Sequence, residues 1–223
     1  GHNEEAIEAF NSYTTQVTLD QIPAELQLML GQAYRAVGNS SAGLVAFQTI
    51  LDQYPNDPLF GSALLETGRT RFLNGEIDVA ILRYLEIADN YGYLTETAAE
   101  ALWRAGYLYG TNDNPAEARV IFERLADTYP TSEWASSGLL IAASSALNSG
   151  DAIGAETLYA RLAATTSGDE QAEAYLQVGR LALARGDTPS AQAALQQASI
   201  AAPDTYYSAR AEDLLVGIQG AAL

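Results

Sequence analysis

The chain has 223 residues, 48% hydrophobic and 17% charged with few β-branched runs, a composition that can bury a continuous core and reads as all-helical. Its net charge is −17 and all eleven basic residues are arginine, so the field repels a nucleic-acid phosphate track and disfavours an anionic membrane surface. Cysteine is absent, which excludes disulfides and Cys-ligated metal, and no apolar stretch approaches the roughly 18 residues that span a bilayer.

A small residue followed four positions later by a bulky one recurs six times: Ala6/Phe10, Gly43/Phe47, Ala80/Tyr84, Ala118/Phe122, Ala155/Tyr159 and Ala191/Leu195. Successive pairs are 37, 37, 38, 37 and 36 residues apart, and twelve residues before each of the last five stands another small residue, Gly31, Gly68, Gly106, Ala143 or Gly179. A period of this length marks a solenoid. Two small residues at a constant separation of twelve can face each other across an antiparallel helix pair, so each repeat is expected to be a tight helical hairpin.

In chain order, Glu4 to Phe10 reads as the second helix of a hairpin whose first helix is missing, within a segment 1–20. Gly1 falls in register with Gly38 and Gly75; the alternative is that Gly1-His2 is a tag remnant. Complete repeats are expected over 21–204, with Gly38, Gly75, Gly150 and Gly186 closing first helices in the left-handed conformation. Second helices are expected to start at Asn114 with Pro115, at Asp151, and at Thr188 with Pro189, the polar residue capping each one. Stop signals between hairpins stand at Tyr54-Pro55-Asn56-Asp57-Pro58, Tyr129-Pro130-Thr131-Ser132 and Ala202-Pro203-Asp204. In 205–223, Tyr206 to Gly217 reads as the first helix of one more hairpin or a cap, before the chain stops at Gly220-Ala221-Ala222-Leu223. Because a solenoid needs its apolar end faces covered, this single solenoid reads as a fragment of a longer polypeptide.

Leu30-Gly31, Tyr34, Gly38, Phe47 and Pro55 sit at the positions of the tetratricopeptide repeat pattern, with Gly43 where Ala is usual, so the chain resembles that family. It departs from the pattern where Arg71 takes the Tyr position and Ala143 the first-helix Gly. The resemblance implies a right-handed α-α superhelix of about five to six hairpins, eleven to twelve helices in all, whose first helices line a concave face. On that face it places Leu28, Leu65, Trp103, Leu140 and Leu176 at one position, Gln32, Arg69, Tyr107, Ser144 and Arg180 at a second, and Arg35, Phe72, Gly110, Leu147 and Leu183 at a third. Such an apolar stripe with Arg and aromatic anchors suits a protein or peptide groove, while its leucines have a second reading as packing between helices. The family's two-carboxylate clamp needs Lys and Asn, which the stripe lacks, so a neutral or basic ligand is expected over an acidic one.

Candidates for chemistry run out quickly. His2 is the only histidine, so His-based triads and zinc sites cannot be built. Gly38 to Gly43 has no Lys to reach a phosphate, and Asn112-Asp113-Asn114 lacks the Gly and Glu of a calcium loop. Paired carboxylates are the one catalytic option, but Glu96, Glu100, Glu133, Glu170 and Glu173 fall near helix starts, where the macrodipole alone favours acids. The expectation is a binding scaffold with no catalytic residue, metal or cofactor of its own.

A finer resemblance points to the bacterial cell envelope. Tyr54-Pro55 and Tyr129-Pro130 look like the links of envelope repeat proteins, and Asp204 to Leu215 is similar to the segment that closes the helical superhelix of soluble lytic transglycosylases. The catalytic Glu-Ser and Gly-Leu-Met-Gln of those enzymes are not in this sequence. This resemblance implies the non-catalytic arm of a peptidoglycan-cleaving enzyme, reaching peptidoglycan through a catalytic domain outside this sequence, in an extracytoplasmic location.

Overall fold

The computed structural model describes residues 2–17 and 22–221, and among these it contains twelve α-helices and no strand. They are α1 (His2–Thr14), α2 (Ala24–Ala36), α3 (Ser40–Gln53), α4 (Phe60–Leu73), α5 (Ile77–Asn90), α6 (Thr95–Thr111), α7 (Pro115–Thr128), α8 (Glu133–Asn148), α9 (Ala152–Thr165), α10 (Gly168–Ala184), α11 (Thr188–Ala201) and α12 (Tyr206–Ala221). The all-α class and the hairpin repeat are as expected: α2/α3, α4/α5, α8/α9 and α10/α11 are sequential pairs joined by tight turns. Gly1, residues 18–20 of the expected truncated hairpin, Gln21 at the start of the expected repeats, and the terminal Ala222-Leu223 lie outside the described residues. The helices form two compact units, Gly1–Leu108 and Tyr109–Leu223, divided within α6.

In the first unit the hairpin crossing is set by glycine against an aromatic ring. A Cβ on Gly31 would lie 2.4 Å from the Phe47 ring, and one on Gly43 would lie 2.8 Å from the Gly31 carbonyl oxygen. In α4/α5 a Cβ on Gly68 would lie 2.6 Å from the Tyr84 ring. The first-helix glycine is therefore small for two reasons: it faces the residue twelve positions on, and the ring sixteen positions on packs against it. Phe47 and Tyr84 are buried at these crossings. Side chains of that size each contribute about 2 to 3 kcal/mol by leaving water.

The turns follow from backbone geometry. Gly38 and Gly75 have φ of +83° and +78°, where a Cβ is unfavourable, and Asn39 caps α3 by accepting from the Ala42 amide at 3.2 Å. In the first unit the open ends of the α2/α3 and α4/α5 hairpins are closed by the tyrosines that follow their second helices. The Tyr54 hydroxyl donates to the Ile22 carbonyl at 2.6 Å, just ahead of α2, and the Tyr91 ring packs 5.6 Å from that of Phe60, the first residue of α4. Neighbouring first helices also meet closely, since a Cβ on Gly61 of α4 would strike Thr97 Oγ1 of α6 at 2.3 Å.

The second unit uses similar close approaches, with Leu195 in place of a ring in its last hairpin. A Cβ on Gly179 of α10 would lie 2.6 Å from Leu195 of α11, and Gly138 of α8 gives the same clearance to Phe122 of α7. Ala143 takes the glycine position of α8 and is fully buried, while the adjacent Ser144 hydroxyl lies 3.2 Å from the Tyr159 hydroxyl. Gly150 and Gly186 have φ of +85° and +82°, and in the 112–114 turn Asp113 adopts +58° in their place, a conformation that Asp tolerates better than most residues.

Asp151 caps α9 as expected, accepting from Gly154 at 2.9 Å. Two other caps differ from expectation. Asn114 holds the cap position of α7, but its side chain donates back to the Asn112 carbonyl at 2.8 Å. The cap of α11 is Asp187, not Thr188: the Asp187 carboxylate reaches the Ser190 amide at 3.1 Å, and Thr188 is already the first residue of the helix. Hydrogen bonds to Asp187 from Arg185, then from Ser190, hold its pKa at about 2 against the ordinary 3.8.

Two outcomes follow from these crossings and caps. Gly68→Leu must displace the buried Tyr84 ring, and overpacking of this kind should destabilise the fold by about 1 to 3 kcal/mol, read as a lower Tm by circular dichroism. Replacing Tyr84 with Ala in that background should restore part of the loss. Because folding lowers the Asp187 pKa, its stabilisation is fully present above the unfolded value near 3.8 and is lost as the pH falls through about 2. Asp187→Ala should accordingly lower Tm at pH 7, and the gap to the parent chain should close between those two pH values.

Candidate functional site

The first helices of the first unit bring several of the sequence-selected residues around an acid that was not among them. Glu66 of α4 is buried and its carboxylate accepts from Arg35 and, at 3.3 Å, from the Gln32 amide, both on α2. Arg69 Nη1 stands 3.5 Å from the same carboxylate, and Arg35 also reaches the Thr70 hydroxyl at 3.4 Å. The Arg35 guanidinium lies over the Phe47 ring at 5.9 Å. Only 12% of its side chain is exposed, so Arg35 ties α2 to α4 and does not present its charge to a ligand. Gln32 is exposed at the surface of this cluster, and the Arg69 side chain is half exposed.

Further along the same unit, Trp103 and Tyr107 stack one turn apart on α6, with ring centroids 5.3 Å apart and planes 12° from parallel. Tyr107 is 44% exposed and Trp103 half-buried, so the pair offers an aromatic surface. Beside this pair on α6, Arg104 lies over the Tyr84 ring at 5.9 Å and holds Glu100 at 2.8 Å. Burial works against the Arg104 charge, but the Glu100 hydrogen bond and the nearby Tyr84 leave its pKa above the ordinary value. Burial pushes the Tyr84 phenol up as well.

The other selected residues divide between packing and exposure. Leu28 packs on the buried cluster of Ala24, Ile50 and Ala63, Leu65 is half-buried, and Phe72 is exposed. In the second unit Leu140 is half-buried, Arg180 is exposed, and Leu176 is buried against Leu195, Ala198 and Ala211. Packing is thus the role of Leu28 and Leu176. Glu66 left one signal in the sequence, an acid within Leu64-Leu65-Glu66-Thr67, but its partners lie 31 and 34 residues away. No group of three or more His, Cys, Asp or Glu side chains is placed to hold a metal among the described residues, and no helix there is long and apolar enough to cross a membrane.

Glu66→Ala would strand the buried Arg35 guanidinium without its counter-charge. Breaking such a pair should cost about 3 kcal/mol, measured by denaturant unfolding, whereas Gln32→Ala at the exposed rim should change stability by less than about 1 kcal/mol.

Comparison with known proteins fits this geometry. Residues 28–95 and 100–132 match family models of the tetratricopeptide repeat. Among solved structures, BtubC (BKLC) from P. vanneervenii is similar with a TM-score of 0.54 at 14% identity, covering 97% of this chain and 90% of that one. Yeast Tom70 is similar with a TM-score of 0.52 at 11% identity, covering 96% of this chain and 44% of that one. None of the curated proteins matches the chain in sequence. The chain is thus similar to tetratricopeptide repeats over 28–95 and 100–132, and its fold is one of all-α helical hairpins.

Proposed function

We propose that the chain is a non-catalytic scaffold that binds a protein or peptide on the face of its first helices, with the exposed Arg69, Phe72 and Tyr107 and the half-buried Trp103 as anchors in the first unit. The observation that carries this is the stacked Trp103 and Tyr107 pair, large aromatic area held on a rigid helix at little entropic cost. A neutral or basic ligand suits the face, because the first unit sets five arginines against fourteen Asp and Glu. All five arginines stand within ion-pair distance of a carboxylate of their own unit. One further reading is supported by the likeness of Asp204 to Leu215 to the closing segment of lytic transglycosylase superhelices: the scaffold would then be the positioning arm of an envelope enzyme acting on peptidoglycan. A Glu-Ser pair and a Gly-Leu-Met-Gln segment encoded beyond residue 223 would favour that reading.

Selection of a displayed random peptide library on the immobilised chain tests the scaffold. Selected peptides should bind at least about tenfold more weakly to Tyr107→Ala and to Arg69→Ala, by fluorescence anisotropy, with Tm nearly unchanged. Retained affinity in both variants, or a selection that yields no binder, would remove the first-helix face as the binding surface.

A further inference from the structure

A second surface lies on the other side of the first unit, among its second helices. α3 and α5 both pack on α4 and leave between them a groove of about 530 Å³ with Thr67 and Arg71 of α4 at its floor. Its walls carry Val45, Val79 and Leu82, exposed by 67%, 47% and 65%. Val45 and Leu82 stand at the same repeat position, two residues after Gly43 and Ala80. Single exposed apolar side chains are ordinary on a soluble protein, but these converge on one concavity.

We propose that this groove receives an amphipathic helix of a partner protein, seated by its apolar face and flanked by Lys or Arg. The shape follows from the walls. Along α5, Val79, Leu82, Arg83 and Glu86 are spaced i, i+3, i+4 and i+7, and Leu44 and Gln48 stand one turn apart on α3. Two helical ridges with a furrow about 10 Å long suit the ridge of a third helix. The basic flanks follow from charge. α3 and α5 carry Asp52, Asp78, Glu86 and Asp89 against Arg83 alone. Arg83 is held by Glu86 at 2.9 Å and Thr67 at 2.8 Å, and Arg71 by Glu76 at 2.9 Å. Of these acids only Glu86 lines the groove; Asp78 and Asp89 of α5 and Asp52 of α3 are exposed just outside it on the same helices, and with the groove's arginines engaged within the chain they attract cationic flanks and repel anionic ones. This surface is separate from the first-helix face, so either can fail without the other.

The probe is an 18-residue model helix with a leucine stripe and lysine flanks, compared with the same stripe flanked by glutamate. Because the chain has no cysteine, Gln48→Cys in the groove and Gln32→Cys on the first-helix face each give one attachment point for an environment-sensitive fluorophore. The lysine helix should change the emission at Gln48 and not at Gln32, and should weaken as salt rises. In anisotropy with labelled peptide, the double variant Val45→Ser/Leu82→Ser should weaken binding about tenfold at unchanged Tm. Equal binding of the glutamate helix, a response only at Gln32, unchanged affinity of the double variant, or no binding of the lysine helix would each overturn the proposal. Loss of binding in Tyr107→Ala with no loss in the double variant would assign the peptide to the first-helix face instead.

Discussion

The close approach of two helices at a small residue is the constraint from which the rest of this structure follows. At Gly31 and Gly68 the absent Cβ lets an aromatic ring of the second helix lie directly on the first-helix backbone, and at Gly179 a leucine does so. A packed interior has no slack to absorb a displaced ring, so this one contact fixes the depth of the hairpin. Depth in turn fixes where the turn must fall, which is why a left-handed residue recurs at Gly38, Gly75, Gly150 and Gly186. The tyrosines after α3 and α5 then close the opposite end by reaching back to the start of their own hairpin.

Between hairpins, side chains supply specificity that the repeated apolar contacts cannot. Arg35 bridges to Glu66 in the first unit; in the second, Arg119 reaches Asp151 at 2.9 Å, Arg161 reaches Asp127 at 2.6 Å, and Arg185 reaches Glu156. The planar guanidinium suits this task because its fork of donors can serve two acceptors at once, as Arg185 does with Glu156 and Asp187. Exposed pairs of this kind contribute little each, whereas the buried Arg35 and Glu66 pair ties α2 to α4 through charges that are costly to separate. With its arginines engaged in this way, the molecule shows its surroundings a strongly negative surface. That surface bears on both candidate interfaces: neither the aromatic pair on α6 nor the groove beside α5 is suited to an acidic ligand.

Much of the architecture could be read directly from the sequence, because each hairpin reuses one local geometry and a repeated geometry imposes a repeated residue size. Gly31, Gly43 and Phe47 carry that signal within a span of sixteen residues, and the turn glycines carry it within one. Asp187 shows where local reading stops short: Thr188 and Asp187 are adjacent possible caps, and only the backbone direction at the helix start selects the carboxylate. The candidate binding surface was less legible. Trp103 and Tyr107 could be placed on one face from their spacing alone, but Arg35 looked equally available until its distance to Glu66 was known. Period and composition thus determined the helical hairpin, its turns and its charge, since these depend on neighbours in sequence. Tertiary structure decided which arginines are engaged, which leucines are buried and where the outer groove opens. Those outcomes depend on side chains from different helices converging, and a one-dimensional pattern sets the period of such meetings without setting their partners.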